Sequence, residues 1–222
     1  MADQATITGR VVVTKALTKK RVTMPSYQLR GASVDPREQE KYRTDSPVID
    51  ELSRVVVYLE GPGLGSATPT KEATLTQRNQ RFEPELVVIP VGSTVSFPNA
   101  DPIFHNIFSL SKVKQFDLGY YAAGQARSVT FDQPGVVEVY CHLHADMSAA
   151  ILVLPTASWT RPAHDGSFSL PNISPGTYDL VAWHRSAGFF RRRVTVRGGE
   201  ALAVDLVIPL KVQDSSGTGG RE

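Results

Sequence analysis

The sequence is poor in cysteine, with Cys141 alone among 222 residues. One cysteine cannot form an intrachain disulfide, so a packed core has to hold the fold. A chain of this length buries enough surface for that, as one large domain or two small ones. No apolar stretch approaches the ~20 residues that a membrane-spanning helix needs. We therefore expect no membrane span.

The sequence also lacks a strong charge of either sign. Its 24 basic and 22 acidic residues give a formal net charge of +2, far from the basic surface that nucleic-acid binding requires. Catalytic patterns are missing too: we find no Ser/His/Asp triad, no phosphate-binding glycine loop and no convincing carboxylate pair. The expectation is a protein that is not an enzyme and does not bind nucleic acid.

The N-terminal stretch "MADQATITGR" has no basic and apolar regions of the kind found in signal peptides. Two interpretations stay open from the residues alone. The protein is either cytoplasmic, or it is a mature exported form in which a starting methionine replaces a removed signal peptide.

What the sequence does have is a series of short runs rich in Val and Ile, separated by turn residues. Many of them alternate between apolar and polar residues, which is typical of strands, and no window has a convincing helical period. The fold class predicted is all-β, with two β-sandwiches. The runs are 6–13, 54–61, 85–99, 128–141, 149–155, 166–183, 192–199 and 201–210.

Two segments do not fit the strand pattern. Residues 22–49 are long, polar and charged, which predicts a surface loop that drapes over a neighbouring face or lacks fixed structure. Residues 212–222 are predicted to be a flexible tail.

The chemically richest stretch is "EVYCHLHADMSAAILVL", residues 138–154. Cys141, His144 and Met147 follow the spacing C-x2-H-x2-M. A thiolate, an imidazole and a thioether together favour copper over zinc, and a His₂Cys set with a weak axial Met describes a blue-copper electron-transfer site. Cys141 considered alone would more often be an inert, buried strand residue.

Such a site needs a second histidine, and the sequence has four others. His105, in "FPNADPIFHNIFSL", is the best candidate because it follows a strand and a turn and precedes another apolar segment. Asn106, next to it, is a candidate for a hydrogen bond that ties the two loops together. His142 is expected to face away from Cys141, because neighbouring strand residues point to opposite faces. His164 and His184 are expected to have packing or hydrogen-bonding roles.

Residues 73–155 resemble the cupredoxin family. The stretches "FEPELVVIPVGSTVSFPNADPIFHNIFS" and "GVVEVYCHLHADMSAAILVL" look most like amicyanin, plastocyanin-type domains and bacterial methylamine-utilisation proteins. The compact C-x2-H-x2-M loop is of the amicyanin sort. Two positions depart from the family pattern: "HADM" lacks the proline common after the second ligand histidine, and Phe104 replaces the proline often found before the first.

The resemblance implies a cupredoxin Greek-key β-sandwich that binds one Cu(I)/Cu(II) ion. His105, Cys141 and His144 would be the strong ligands and Met147 the long axial one, with Asn106 behind them. It further implies a one-electron carrier, exported to a compartment such as the periplasm, that meets a redox protein transiently. An apolar patch for that partner would include Phe104, Ala145 and Ala149.

Residues 165–210 resemble the carboxypeptidase regulatory-like, or transthyretin-like, β-sandwich, through "DGSF" followed by "PGTYDL". That half lacks the first strands of such a domain, whereas the N-terminus supplies "ITGRVVV" and "RVVVYLEG". We therefore expect a split sandwich, built from 5–65 and 156–211, into which the cupredoxin domain 66–155 is inserted. Pairing would also close an otherwise open sheet edge.

Two other functions remain open at this stage. The same ligands would serve a copper storage or delivery protein without fast electron exchange. A scaffold or adhesion module with a vestigial site is the third alternative, which the presence of all four ligand types disfavours.

Overall fold

The computed structural model describes residues 4–14, 51–70 and 72–208. The loop predicted at 22–49 and the tail predicted at 212–222 lie outside the described residues. Within the described part, the chain forms strands and one 3₁₀ turn at Glu51–Arg54, so the predicted all-β class is confirmed. In chain order the strands are β1 Ala5–Val13, β2 Val55–Glu60, β3 Ala73–Thr74, β4 Thr76–Arg78, β5 Arg81–Glu83, β6 Leu86–Pro90, β7 Ser93–Pro98, β8 His105–Ser111, β9 Lys114–Tyr121, β10 Ala126–Phe131, β11 Gly135–Tyr140, β12 Ser148–Leu154, β13 Trp159–Thr160, β14 Ser167–Ile173, β15 Gly176–His184, β16 Gly188–Val196, β17 Ala201–Ala203 and β18 Leu206–Ile208.

These strands belong to two compact units. We call the described residues 4–14, 51–64 and 158–208 the terminal unit, and the described residues 65–70 and 72–157 the central unit.

The terminal unit contains two sheets. In one, β1 lies between β14, which is antiparallel to it, and the short parallel strands β17 and β18. The other has the order β13-β2-β15-β16. Strand β2 reads VVVYLE and is buried at its first five positions, as expected for a central strand covered on both faces. The N-terminal strands therefore pair with the C-terminal ones: β1 with β14, and β2 with β15.

The central unit contains a five-stranded sheet, β6-β12-β11-β8-β9, a three-stranded sheet, β10-β7-β3, and the β4–β5 hairpin. Apolar side chains from these strands form one buried cluster that includes Phe97, Ile107, Val139, Met147 and Ile151. The apolar run 85–99 is two strands, because the chain turns at Gly92, whose φ of 84° favours glycine.

The topology of the five-stranded sheet positions the candidate donors. Strands β8 and β11 are antiparallel neighbours, so the start of β8 lies beside the end of β11. His105 is the first residue of β8, and Cys141 follows the last residue of β11. The connection from β11 to β12 then carries His144 and Met147 past the same end of the sheet.

Candidate metal centre

Three of the four predicted ligands meet at one end of the central unit. The donor atoms of His105, Cys141 and His144 all lie within 4.8 Å of one another. The Sγ of Cys141 is 3.8 Å from Nδ1 of His105 and 3.8 Å from Nδ1 of His144. The two imidazole rings are 4.7 Å apart between centroids and are inclined at 59°.

These separations can be compared with those that a bound metal requires. Zinc, a first-row ion, forms bonds of about 2.1 Å to nitrogen and about 2.3 Å to sulfur, and at about 120° such bonds hold the two donors about 3.8 Å apart. The observed Sγ–Nδ1 separations agree with that trigonal value. The donor set of two imidazoles and a thiolate is also the one that copper takes in trigonal sites, so the residues fit the metal.

The loop that carries the donors is closed by its own backbone. The N–H of Met147 donates to the carbonyl of His144 at 3.0 Å, and the N–H of Cys141 donates to the carbonyl of Met147 at 3.4 Å. Met147 is 1% exposed and Cys141 is 5% exposed, both within the apolar cluster of the central unit. The loop is thus anchored in the core at both ends.

Asn106 connects this loop to the neighbouring strands. Its Oδ1 accepts the N–H of His142 at 3.3 Å, and its Nδ2 donates to Oδ1 of Asp117 at 2.6 Å. The N–H of Gly119 also donates to Asp117 and contributes most to holding the pKa of that carboxyl below its usual value, while partial burial opposes it. The side chain of Asn106 therefore links the Cys141 loop to β9.

One polar residue at the site is absent from the sequence prediction. Asp101 lies in the turn before β8, is 5% exposed, and has its Oδ2 2.8 Å from Nε2 of His105. The carboxylate thus contacts the ring nitrogen that faces away from Cys141. The sequence feature that could have indicated Asp101 is its place four positions before a candidate ligand histidine, in "NADPIFHN".

His144 differs from His105 in its access to solvent. His105 is fully buried, whereas His144 is partly exposed. Burial lowers the pKa of His144. It therefore favours the neutral imidazole, which is the form that binds metal.

The exposed residues around this end only partly match the docking patch expected from sequence. Phe104 is 60% exposed and Ala145 is also exposed. Ala149 is wrong as a docking residue: it is fully buried, because β12 lies between β6 and β11 and its side chain packs in the core. Leu143, 51% exposed, was not predicted.

His142 and His184 contact residues other than the three clustered donors. The ring of His142 stacks on Phe108 with centroids 3.8 Å apart, and its Nε2 is 3.6 Å from Oδ2 of Asp117. His184, in the terminal unit, is fully buried with Nε2 3.1 Å from Oε2 of Glu51. Neither ring belongs to the cluster of three donors.

Two protein-family models match parts of the chain. Residues 70–154 match the family of copper binding proteins, plastocyanin/azurin family. Residues 157–204 match polysaccharide lyase family 4, domain II, which is compatible with the second β-sandwich predicted from sequence. A search of the curated proteins found no match to this chain.

Several solved structures are similar to part of the chain. A purple cupredoxin from Nitrosopumilus maritimus is 24% identical, with a TM-score of 0.35 over 37% of this chain and 99% of that one. A copper-containing nitrite reductase from Thermus scotoductus is 24% identical, with a TM-score of 0.36 over 43% of this chain and 25% of that one. A reduced amicyanin variant is 18% identical, with a TM-score of 0.36 over 44% of this chain and 98% of that one.

The family match and the donor cluster agree. The matched residues include all three donors, together with Met147 and Asn106. No helix in the described ranges has the length and apolar character needed to cross a membrane. The predicted resemblance to the cupredoxins is thus confirmed for residues 70–154, and the cofactor of this copper-binding domain is copper.

Proposed function

We propose that the protein is a one-electron carrier with a single type 1 copper site. His105, Cys141 and His144 would hold the ion, with Met147 as a fourth and weaker donor. When bound, copper supplies a reversible one-electron change between Cu(II) and Cu(I). The observation that carries the proposal is the convergence of two imidazole nitrogens and one thiol sulfur within 4.8 Å.

The protein's part in this function is to keep the donors still. His105 begins a strand, Cys141 follows a neighbouring strand, and the loop between Cys141 and Met147 is closed by backbone hydrogen bonds. Donors fixed in this way change position little between the two oxidation states, so little energy is needed for rearrangement. Burial of His105 and Cys141 keeps water away from the ligands.

Electrons have a short exit through His144. Its ring is partly exposed while its Nδ1 faces Cys141, so one side chain joins the buried donors to the surface. Exposed Phe104, Leu143 and Ala145 lie close to it in sequence and provide apolar surface for a partner. A small apolar patch suits a weak, transient encounter with another redox protein, in an exported compartment.

The carrier proposal is supported by this fixed geometry, and in it the central unit has no catalytic role. Fast electron exchange requires a site that is the same before and after the electron arrives. Storage or delivery requires, instead, that the ligands release the metal readily.

The test is to add Cu(II) to the metal-free protein and to record the visible and EPR spectra, with Cys141→Ser as the variant. We expect an intense thiolate-to-copper band in the wild type and none in the variant. Cyclic voltammetry should then give a reversible wave, and a competing chelator should remove the copper slowly. Absence of the band in the wild type would overturn the type 1 site, and rapid loss of copper with an irreversible wave would favour delivery.

A further inference from the structure

Among the described residues, His105 is the one predicted ligand that contacts a carboxylate, that of Asp101. Asp101 is nearly buried, and its carboxylate has three hydrogen-bond partners in the described part of the chain. The N–H of Asn79 donates to Oδ1 at 2.6 Å, and the N–H of Gln80 donates to Oδ2 at 2.8 Å. Nε2 of His105 also contacts Oδ2, at 2.8 Å.

The two backbone donors come from the turn of the β4–β5 hairpin. Asn79 and Gln80 are its two central residues, with φ values of 53° and 55°, as in a type I′ turn. In this turn both N–H groups point at one carboxylate. The two N–H groups of the hairpin turn therefore bind the carboxylate of Asp101 as an anion.

The side chain of Asn99 stabilises the turn before β8, which contains Asp101. Its Oδ1 accepts the N–H of Asp101 at 3.0 Å, and its Nδ2 donates to the carbonyls of Ile103, at 2.8 Å, and Tyr121, at 3.1 Å. Asn99 is 1% exposed. The position of Asp101 is thus set from both sides, independently of any metal.

The donors around Asp101 determine its form and that of His105. The carboxylate of Asp101 accepts the N–H groups of Asn79 and Gln80, and hydrogen bonds to the charged form of a carboxyl favour that form. An ionised Asp101 can only accept, so Nε2 of His105 must carry the proton and donate it. In the neutral imidazole, which is the form that binds metal, the lone pair of Nδ1 then faces Sγ of Cys141, 3.8 Å away.

We propose that Asp101 is a positioning residue that fixes the Nε2–H tautomer of His105 and makes its Nδ1 a stronger donor toward copper. The statement about the tautomer stands without a metal, and the statement about donor strength rests on the function proposed above. A carboxylate partner makes an imidazole more basic, and a hydrogen bond to an ionised acceptor is roughly twice as strong as one between neutral groups. A more basic ligand stabilises Cu(II) more than Cu(I) and thereby lowers the reduction potential.

The chain offers a matched control in Asp117. Like Asp101, it is an acidic residue near the site. Its carboxylate accepts a hydrogen bond from the side chain of Asn106, however, and not from the ring of a ligand histidine. The variants Asp101→Asn and Asp117→Asn each remove one negative charge. Only the first weakens the acceptor for His105.

The first measurement uses the metal-free wild-type protein. Long-range ¹H–¹⁵N NMR of the histidine rings should show His105 with its proton on Nε2, and Asp101→Asn should broaden or shift these signals while Asp117→Asn leaves them unchanged. A wild-type His105 protonated on Nδ1 overturns the proposal. The wild-type measurement does not depend on copper, so it tests the tautomer of His105 even if the protein binds no copper. It also does not require that any variant folds.

The second measurement uses the copper-loaded proteins. Removing a partner of a metal-ligating histidine typically weakens metal affinity by about 10–100-fold, so we expect Cu(II) affinity to fall about 10-fold relative to Cu(I) in Asp101→Asn. For a one-electron couple that ratio raises the reduction potential by about 59 mV. Asp117→Asn should give a smaller rise. Equal rises in the two variants, or none in Asp101→Asn despite a wild-type circular dichroism spectrum, overturn the proposal.

Discussion

His142 and His144 are separated by one residue in the chain, yet their rings have different partners. Nδ1 of His144 is 3.8 Å from Sγ of Cys141, whereas His142 stacks on Phe108 and has its Nε2 3.6 Å from Asp117. The two histidines therefore form a matched pair within one loop. One is a candidate ligand and the other is not.

We predict that His144→Gln and His142→Gln affect copper binding very differently. Loss of a ligand should cost more than the roughly 10–100-fold that is typical of residues behind the ligands, and should abolish the thiolate-to-copper band. His142→Gln should keep the band, because its ring contacts no donor. Titration with Cu(II), followed by absorption, measures both. An equal loss in the two variants would mean that copper is held by the loop as a whole.

Met147 is nearly fully buried and supplies the axial donor of the proposed site. We predict that Met147→Leu folds with a loss of less than about 1.5 kcal/mol, since the two side chains have similar volumes. The variant should retain copper on its other three ligands and show a higher reduction potential, because Cu(I) is stable with three ligands whereas Cu(II) is stabilised by a further donor. The measurement is voltammetry with a parallel urea titration. An unchanged potential would remove Met147 from the ligand set.

The three donors that lie close together could be predicted from the sequence, whereas the residues behind them could only partly be. Cys141, His144 and Met147 share a short spacing, and His105 could be found because few histidines compete with it. The role of Asp101 depends on two N–H groups of a hairpin turn more than 20 residues upstream, at Asn79 and Gln80. No local sequence pattern predicts this tertiary contact.

Two features of the fold show the same limit. Strand β9, KQFDLGYY, is not among the runs predicted from the sequence. It alternates apolar and polar residues as a strand does, but it contains an aspartate and a glycine, which are poor strand formers, and it pairs with β8. Ala149 is expected in the docking patch as an apolar neighbour of His144. Its side chain instead lies on the face of β12 that packs in the buried apolar cluster of the central unit.

In the terminal unit, His184 should make stability depend on pH. Its Nδ1 accepts the N–H groups of Ser186 and Ala187, and burial, aided by the positive charge of Arg54, lowers its pKa to about 4. The unfolded chain takes up a proton below about pH 6.5, while the folded chain resists it. The free energy of unfolding should therefore fall as pH decreases from about 6.5 to 4, by up to about 3 kcal/mol.

Tryptophan fluorescence isolates this effect, because both tryptophans, Trp159 and Trp183, lie in the terminal unit. Urea unfolding of the metal-free protein at pH 7.5 and pH 5 should show a larger loss for the wild type than for His184→Gln. His142→Gln serves as the control and should keep the wild-type pH dependence. The same pH dependence in His184→Gln as in the wild type would assign it to other groups.

Gly9 tests the proposal that the N-terminal strand is an integral part of a split sandwich. A Cβ at Gly9 would lie 1.9 Å from the carbonyl oxygen of Val204, where β1 changes partner from β17 to β18. Gly9→Ala must displace that backbone, so we predict a loss of about 3 kcal/mol or more in the unfolding transition followed by tryptophan fluorescence. Gly65→Ala, with no atom within 4 Å of its added Cβ, is the control and should be close to neutral. If both variants unfold like the wild type, β1 contributes little to the fold of the C-terminal strands, and the split arrangement loses its main support.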